Sequence, residues 1–245
     1  MKTILIANRK GGVGKTTTAI NLATAFGLKG KKVLVIDLDT QGHIQYGFGY
    51  NKTFKKGIHR SLIYGKIDNI IDTNFKISFI PADINFDISN IPNKKNRLKN
   101  LLKEVKNDYD ICIIDTPPTS DILLKNSLIA SDYVLVPMQT EYLGLVGVVQ
   151  FLKMFYQIAS TLNTKFRFLG VVPTLYNKSI LEHNKILAKL KSTIGENRVL
   201  TPIRKDFELS KTFIKKRPIF YSKLRSRGSK DYKLLANEIL HKIGE

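Results

Sequence analysis

The run Thr3-Ile-Leu-Ile-Ala7, followed by Asn8-Arg9-Lys10-Gly11-Gly12-Val13-Gly14-Lys15-Thr16-Thr17, decides the fold. A β-branched apolar stretch breaks into a glycine-rich turn, and apolar periodicity then predicts a helix from Lys15 to Leu28, stopping before Gly30. Strand, glycine loop and helix in that order make a phosphate-binding loop. The glycines let the backbone wrap with its N–H groups turned inward on an anion, and the helix beginning at Lys15 adds its positive end. Gly11, Gly12, Val13, Gly14, Lys15, Thr16 and Thr17 are therefore candidate nucleotide-binding residues. The pattern sets Lys15 against β- and γ-phosphates and the Thr16 hydroxyl on Mg²⁺. A glycine turn that only joins strand to helix is the plainer alternative, and the Gly-Lys-Thr ending in this context argues against it. The usual pattern is G-x-x-x-x-G-K-[ST]. Here Arg9 holds its first position and Lys10 follows, so an extra lysine precedes the paired glycines. Lys10 cannot readily reach phosphates enclosed by its own loop. It can cross to a nucleotide in a facing subunit and supply charge where a transition state needs it.

Working outward, further apolar runs occur at Lys32–Ile36, Ile77–Ile80, Ile111–Ile114, Tyr133–Val136 and Phe168–Val172. They lack polar alternation, as strands buried on both faces of a parallel sheet do. Helical spacing marks 93–105, 145–162, 181–194 and 231–243 between and after them. The alternation predicts an α/β fold: a doubly wound, mostly parallel sheet with helices on both faces, spanning residues 1–245 as one P-loop domain. Residues 42–75 are the least regular.

Composition sets the limits. The 245 residues are 43% hydrophobic and 24% charged, which excludes wholesale disorder. No run of about 18 apolar residues points to a membrane span, and no secretory leader is read at the start, so a cytoplasmic location and no membrane partner are expected. The single cysteine, Cys112, excludes an internal disulfide framework or a cysteine-rich metal site. The net charge is +20, a balance that draws a chain to polyanions such as nucleic acid. With 31 Lys against 9 Arg, together with 29 Ile and 17 Asn, part of that excess reflects AT-rich coding DNA, so its distribution matters more than its total. Residues 1–150 carry net +7 (20 basic, 13 acidic) and residues 151–245 net +13 (20 basic, 7 acidic).

Motifs along the whole chain resemble one family. Lys10-Gly11-Gly12-Val13-Gly14-Lys15-Thr16 is similar to the deviant Walker A loop of ParA/MinD-class ATPases. Val33–Gly42, with Asp37, Asp39 and Gln41, resembles the strand and Asp-x-Asp-Pro-Gln-Gly turn of the ParA (Soj-like) DNA-partition ATPases. Tyr109–Pro118 resembles their Walker B segment, Val134–Tyr142 their Pro-x-Gln-x-Glu-Tyr stretch, and Tyr232–Ile239 their closing helix. Thr40 stands where the family has Pro, and Arg9 where Gln is usual. The resemblance implies a Mg²⁺-dependent ATPase that forms an ATP-bound sandwich dimer, binds double-stranded DNA non-specifically on the nucleoid and releases it on slow, partner-stimulated hydrolysis. It implies a ParB-like centromere-binding adaptor as that partner.

Asp37, Asp39 and Asp115 each follow a buried run, and such strand ends open at the phosphate-loop edge of a parallel sheet. Asp115, as the Walker B acid, is expected to contact Mg²⁺ through water. By resemblance Asp37 supports the metal shell with Thr16, and Asp39 orients the attacking water, so Lys10, Lys15 and Asp39 are the catalytic candidates. Thr174 and Asn177, just past the sixth run, lie where the family closes over the base. The family's Ile-Pro-Arg stretch reads here as Ile203-Arg204-Lys205, with Pro202 displaced.

Residues 201–233 carry 11 basic and 3 acidic residues, net +8. Pro218 and Gly228 suggest that much of this segment is loop. Arg204, Lys205, Lys216, Arg217, Lys223, Arg225, Arg227 and Lys230 are candidate DNA contacts, sequence-independent and sensitive to salt. No helix-turn-helix precedes the first strand, so operator reading is not expected. A merely solvated basic face is the competing reading. A MinD-like membrane-cycling ATPase would need an amphipathic basic helix after the core, whereas Leu234, Leu235, Ile239, Leu240 and Ile243 read as core packing. A nitrogenase-type iron protein would need cluster cysteines, which Cys112 alone cannot supply. A metabolic ATP-dependent ligase would need a substrate pocket that the sequence does not disclose.

Overall fold

The computed structural model describes residues 1–54, 56–118, 122–162 and 166–245. Among them, seven strands form one sheet in the order β3-β4-β2-β5-β1-β6-β7. These are β1 (Lys2–Ile6), β2 (Val33–Asp37), β3 (Ile71–Asp72), β4 (Ile77–Ile80), β5 (Ile111–Asp115), β6 (Tyr133–Gln139) and β7 (Arg167–Thr174). Every neighbouring pair is parallel except the short edge pair β3–β4. The helices are α1 (Lys15–Gly27), α2 (His43–Gly47), α3 (Ile58–Tyr64), α4 (Arg97–Val105), α5 (Ile122–Ala130), α6 (Tyr142–Leu162), α7 (Leu181–Ile194), α8 (Phe207–Ser210), α9 (Ile219–Ser222) and α10 (Arg227–Ile243).

The absence of polar alternation in the strands has the predicted cause. Successive side chains point to opposite faces, and both faces are covered. Ile4, Ile6, Val35, Ile113 and Leu135 pack with α1, α2, α8, α9 and α10 on one side. Leu5, Leu34, Ile36, Cys112 and Ile114 pack with α3, α4, α5, α6 and α7 on the other. α1 is buried along almost its whole length between the sheet and α10, which is why its residues are mostly small or apolar, with the buried Thr18, Asn21 and Thr24 among them, and it is not amphipathic. The Tyr232 hydroxyl of α10 lies 3.1 Å from the Thr18 hydroxyl of α1, and Asn21 accepts from the Ile219 N–H at 2.8 Å.

Several expected boundaries move. β2 and β5 each run one residue further, to Asp37 and Asp115, so both carboxylates close strands and do not open turns. The helix expected from residue 93 begins at Arg97, where its apolar face of Leu98, Leu101, Leu102 and Val105 begins. The last helix starts a turn earlier than expected, at Arg227. Ser226 caps it by accepting from the Ser229 N–H at 3.1 Å, and Gly228 sits inside it because a β-carbon there would lie 2.5 Å from Leu209. The irregular stretch 42–75 resolves into α2, α3 and β3, elements too short to show a period. Of the α10 residues read as core, Leu235, Ile239, Leu240 and Ile243 are buried and Leu234 is exposed. Among the described residues, no helix is long and apolar enough to cross a membrane.

Candidate nucleotide site and basic face

The loop after β1 is fixed before it reaches the glycines. Asn8, buried, donates to the Pro137 carbonyl of β6 at 2.7 Å and accepts the Lys10 N–H at 3.0 Å. Gly12 and Gly14 take φ of +72° and +87°, a left-handed backbone that strains other residues. Val13 between them is buried, and its carbonyl accepts the Thr174 hydroxyl of β7 at 2.9 Å. The first α1 bond then forms, from the Thr18 N–H to the Gly14 carbonyl at 2.9 Å. The loop, Lys15, Thr16 and Asp39 line a cavity of about 730 Å³, within the range of small-molecule sites.

Three strands end together beside the loop. Asp37 ends β2 and Asp115 ends β5, and the two are register partners. Asp115 is equally in register with Ile6 of β1, from which the loop departs. Sheet pairing thus sets two carboxylates side by side next to the loop. Asp37 is fully buried and accepts from the Asp39 N–H and the Ile44 N–H, each at 3.1 Å. Burial, then the neighbouring Asp115 charge, holds its acid well above the ordinary carboxylate range. Asp115 is also fully buried, and neither of its carboxylate oxygens has a hydrogen bond of ordinary length among the described residues. Burial pushes its acid up to about 7, against the opposing pull of the Thr16 hydroxyl and the Lys15 ammonium. Lys15, nearly buried, is pushed down by burial, with Asp115 and Asp39 pulling the other way. Its ammonium donates to the Lys10 carbonyl at 3.2 Å.

A buried carboxylate with no hydrogen bond of ordinary length among the described residues, beside a hydroxyl, suits a hard divalent cation. Among the described residues no cluster of three or more His, Cys, Asp or Glu side chains could hold a metal alone. Mg²⁺ does not require one, because it keeps several waters and takes one or two carboxylates together with phosphate oxygens. Thr16 and Asp115 fit that role, and Asp37 stands in register with Asp115 on the neighbouring strand.

The remaining candidates separate. Lys10 forms an ion pair with Glu141 of its own chain, across the gap from the loop to the start of α6. Glu141 lay inside the quoted Pro-x-Gln-x-Glu-Tyr stretch, but nothing local to it signals Lys10, 131 residues away. Thr174 touches the loop and lines a second recess of about 180 Å³ beside it. Asn177 does not line that recess. It caps its own turn, accepting from the Ser179 N–H at 3.0 Å, and opens on a neighbouring hollow with Arg204, Lys205 and Arg227. Of the basic candidates, Arg204 is already committed, its guanidinium gripping the buried Asp231 through Nε and Nη2. Lys205, Lys216, Arg217, Lys223, Arg225, Arg227 and Lys230 are exposed and make no ion pair among the described residues. Lys211 and Lys215 are instead neutralised by Glu208.

The buried Asp115 makes a stability prediction. Its acid rises from an ordinary 3.8 to about 7, so the folded state binds a proton that the unfolded state releases. Stability from this group is complete below the unfolded value and is lost as pH rises through the folded one, at most about 4 kcal/mol for such a shift. Asp115→Asn removes that loss. The nucleotide-free variant is expected to melt several degrees above the parent at pH 8, the difference closing towards pH 4. A melting temperature at pH 8 equal to or below the parent's contradicts the assignment.

Comparison with known proteins agrees with this geometry. A family model described as "AAA domain" matches residues 1–168. The chain is 34% identical to the sporulation initiation inhibitor protein Soj of Bacillus subtilis, over 97% of this chain and 98% of that one. It is 30% identical to the chromosome partitioning protein ParA of Caulobacter vibrioides, over 98% of this chain and 94% of the relative. A crystal structure of cobyrinic acid a,c-diamide synthase from Mycobacterium smegmatis with ADP and magnesium superposes with a TM-score of 0.83, at 27% identity, covering 100% of this chain and 96% of that one. With a phosphate loop and paired strand-end carboxylates in one seven-stranded sheet, and full-length relatives of this kind, the chain belongs to the ParA/Soj family of deviant Walker A P-loop ATPases.

Proposed function

We propose that this chain is a DNA-partition ATPase that binds Mg-ATP, dimerises on it, holds double-stranded DNA without regard to sequence and lets go on hydrolysis. One observation carries the reading: Asp37 and Asp115 in register beside a phosphate loop whose lysine is desolvated with them. Such a site is built for a polyanion that arrives with a cation.

The roles follow from position. The amides of residues 11–16 enclose the phosphates, and the Lys15 ammonium exchanges the Lys10 carbonyl for a phosphate oxygen. Thr16 and Asp115, with Asp37 in support, would hold magnesium, which would supply charge neutralisation of the phosphates. Asp39 is half-buried on the cavity wall, its carboxylate held by the Gln41 N–H at 3.0 Å, and it orients the attacking water. Lys10 leaves Glu141 to reach the nucleotide of a second copy, so dimerisation exchanges one ion pair for another. Lys205, Lys216, Arg217, Lys223, Arg225, Arg227 and Lys230, exposed and without an ion pair among the described residues, are the DNA face, cytoplasmic and on the nucleoid. A ParB-like centromere-binding adaptor stimulates turnover. The apolar face of α10 is spent on the core, which leaves it unavailable as a membrane anchor.

Three variants test these roles. Lys15→Ala is expected to abolish nucleotide binding in calorimetry; retained ATP affinity counts against the site. Asp39→Ala is expected to keep ATP and accumulate as a dimer on DNA with turnover lost; parental turnover assigns the water to another group. Arg225→Ala with Arg227→Ala should weaken duplex binding equally across sequences and lower its salt slope by about 2, with ATP affinity unchanged. Unchanged DNA affinity at low salt removes that surface from the contact.

A further inference from the structure

The turn bearing Asp37 and Asp39 is gripped from behind by a side chain that no motif singles out. His59, the second residue of α3, is fully buried, its ring stacked on Phe86 with centroids 5.3 Å apart. The Asp83 backbone nitrogen lies 3.1 Å from Nδ1, and an N–H can only donate, so Nδ1 is the bare acceptor and Nε2 carries the hydrogen. Nε2 lies 3.2 Å from the Leu38 carbonyl oxygen, which accepts that hydrogen. The frame around the ring is tied by further contacts. The Asp83 carboxylate accepts from the Gly57 and Arg60 N–H groups, each at 3.0 Å. Gly57 lies so close to the β4 exit that a β-carbon would sit 2.5 Å from the Pro81 carbonyl oxygen.

Leu38 C=O and Asp39 N–H are the two ends of one peptide unit. Its oxygen is held by His59, and its nitrogen donates to Asp37 at 3.1 Å. The unit before it is held too, with the Leu38 N–H donating to the Asp115 carbonyl at 3.0 Å. A planar unit fixed at both ends has a set orientation, and the Asp39 side chain departs from it. We infer that His59 is a positioning residue for Asp39, its Nε2–H bond to Leu38 fixing the peptide plane from which the Asp39 carboxylate meets the nucleotide cavity. This rests on the reading that Asp39 serves hydrolysis. Released from His59, the plane can rotate, and misplacement of a reacting group by about 1 Å costs on the order of 100-fold in rate.

The test uses the full chain and two substitutions. His59→Asn keeps an acceptor near Nδ1 but is too short to reach Leu38, whereas His59→Gln carries an amide N–H towards the Nε2 position. Turnover of Mg-ATP, ATP affinity and, in the nucleotide-free protein, amide hydrogen exchange across residues 38–42 are measured. His59→Asn is expected to lower kcat about tenfold or more with ATP affinity within about twofold, and to speed exchange in that turn. His59→Gln is expected to restore both. Parental kcat and exchange in a folded His59→Asn overturn the inference. If His59→Asn does not fold, His59→Gln decides: parental kcat and exchange support the inference, and loss of either at a parental melting temperature overturns it. Asp39→Ala, run alongside, separates the two ideas. An active Asp39→Ala sinks the role of Asp39 and leaves exchange to judge the grip of His59, while an inactive Asp39→Ala beside a parental His59→Asn sinks only the positioning role.

Discussion

Two carboxylates and an ammonium are taken out of water at the point where β2, β5 and β1 end together, and the rest of the molecule is arranged around that cost. Buried charge is tolerated only where partners replace the lost solvent. Here the replacement is uneven. Asp37 has two backbone N–H donors, Lys15 a carbonyl, and Asp115, among the described residues, no hydrogen bond of ordinary length. A site with this deficit is stabilised by whatever brings a cation and a polyanion together, so ligand binding and local order are linked by mass action. The same deficit explains the weight of apolar packing beneath it: α1 is buried almost throughout, and α10 is laid along it.

The cavity and the basic face share a stretch of chain. Residues 204–217 begin with Arg204 locked to Asp231 of α10 and include Asp206, which accepts the Gly228 N–H at 2.7 Å. Phe213, Ile214 and Lys216 then line the cavity that holds the loop, while Lys216 and Arg217 face solvent. A segment that is at once the wall of a nucleotide cavity and part of a cationic surface gives a ligand in one place a physical means of biasing the other, provided its contacts differ between states. The pair Lys10–Glu141 is a second such element, since it joins the phosphate loop to the start of α6 within one chain.

Elements with a strong period are legible in the chain, and short elements are not. Six apolar runs became β1, β2, β4, β5, β6 and β7, because burial on both faces leaves an uninterrupted apolar signature. α7 matched its spacing end to end. α2, α8 and α9 span a turn or so each, and α5 shows little amphipathic periodicity, so none announced itself. Gly228 read as a break and is a close-packing residue within α10, a distinction that only the position of Leu209 makes.

For the proposed site, sequence by itself picked out the glycine loop, Lys15, Thr16 and the acids closing β2 and β5, each from signals local to its own strand or turn. Their geometry is local, and their types are dictated by phosphate and cation. Tertiary structure alone decided what each group answers to. Arg204 is a structural cation because Asp231 is buried 27 residues away, and Lys10 is paired because β6 delivers Glu141 to it. Asn177 turns away from the loop recess, and His59 lies under the Asp39 peptide because β4 and α3 meet there. Pairings across such separations leave no spacing in the chain, since contact between residues far apart in sequence is set by strand order and packing.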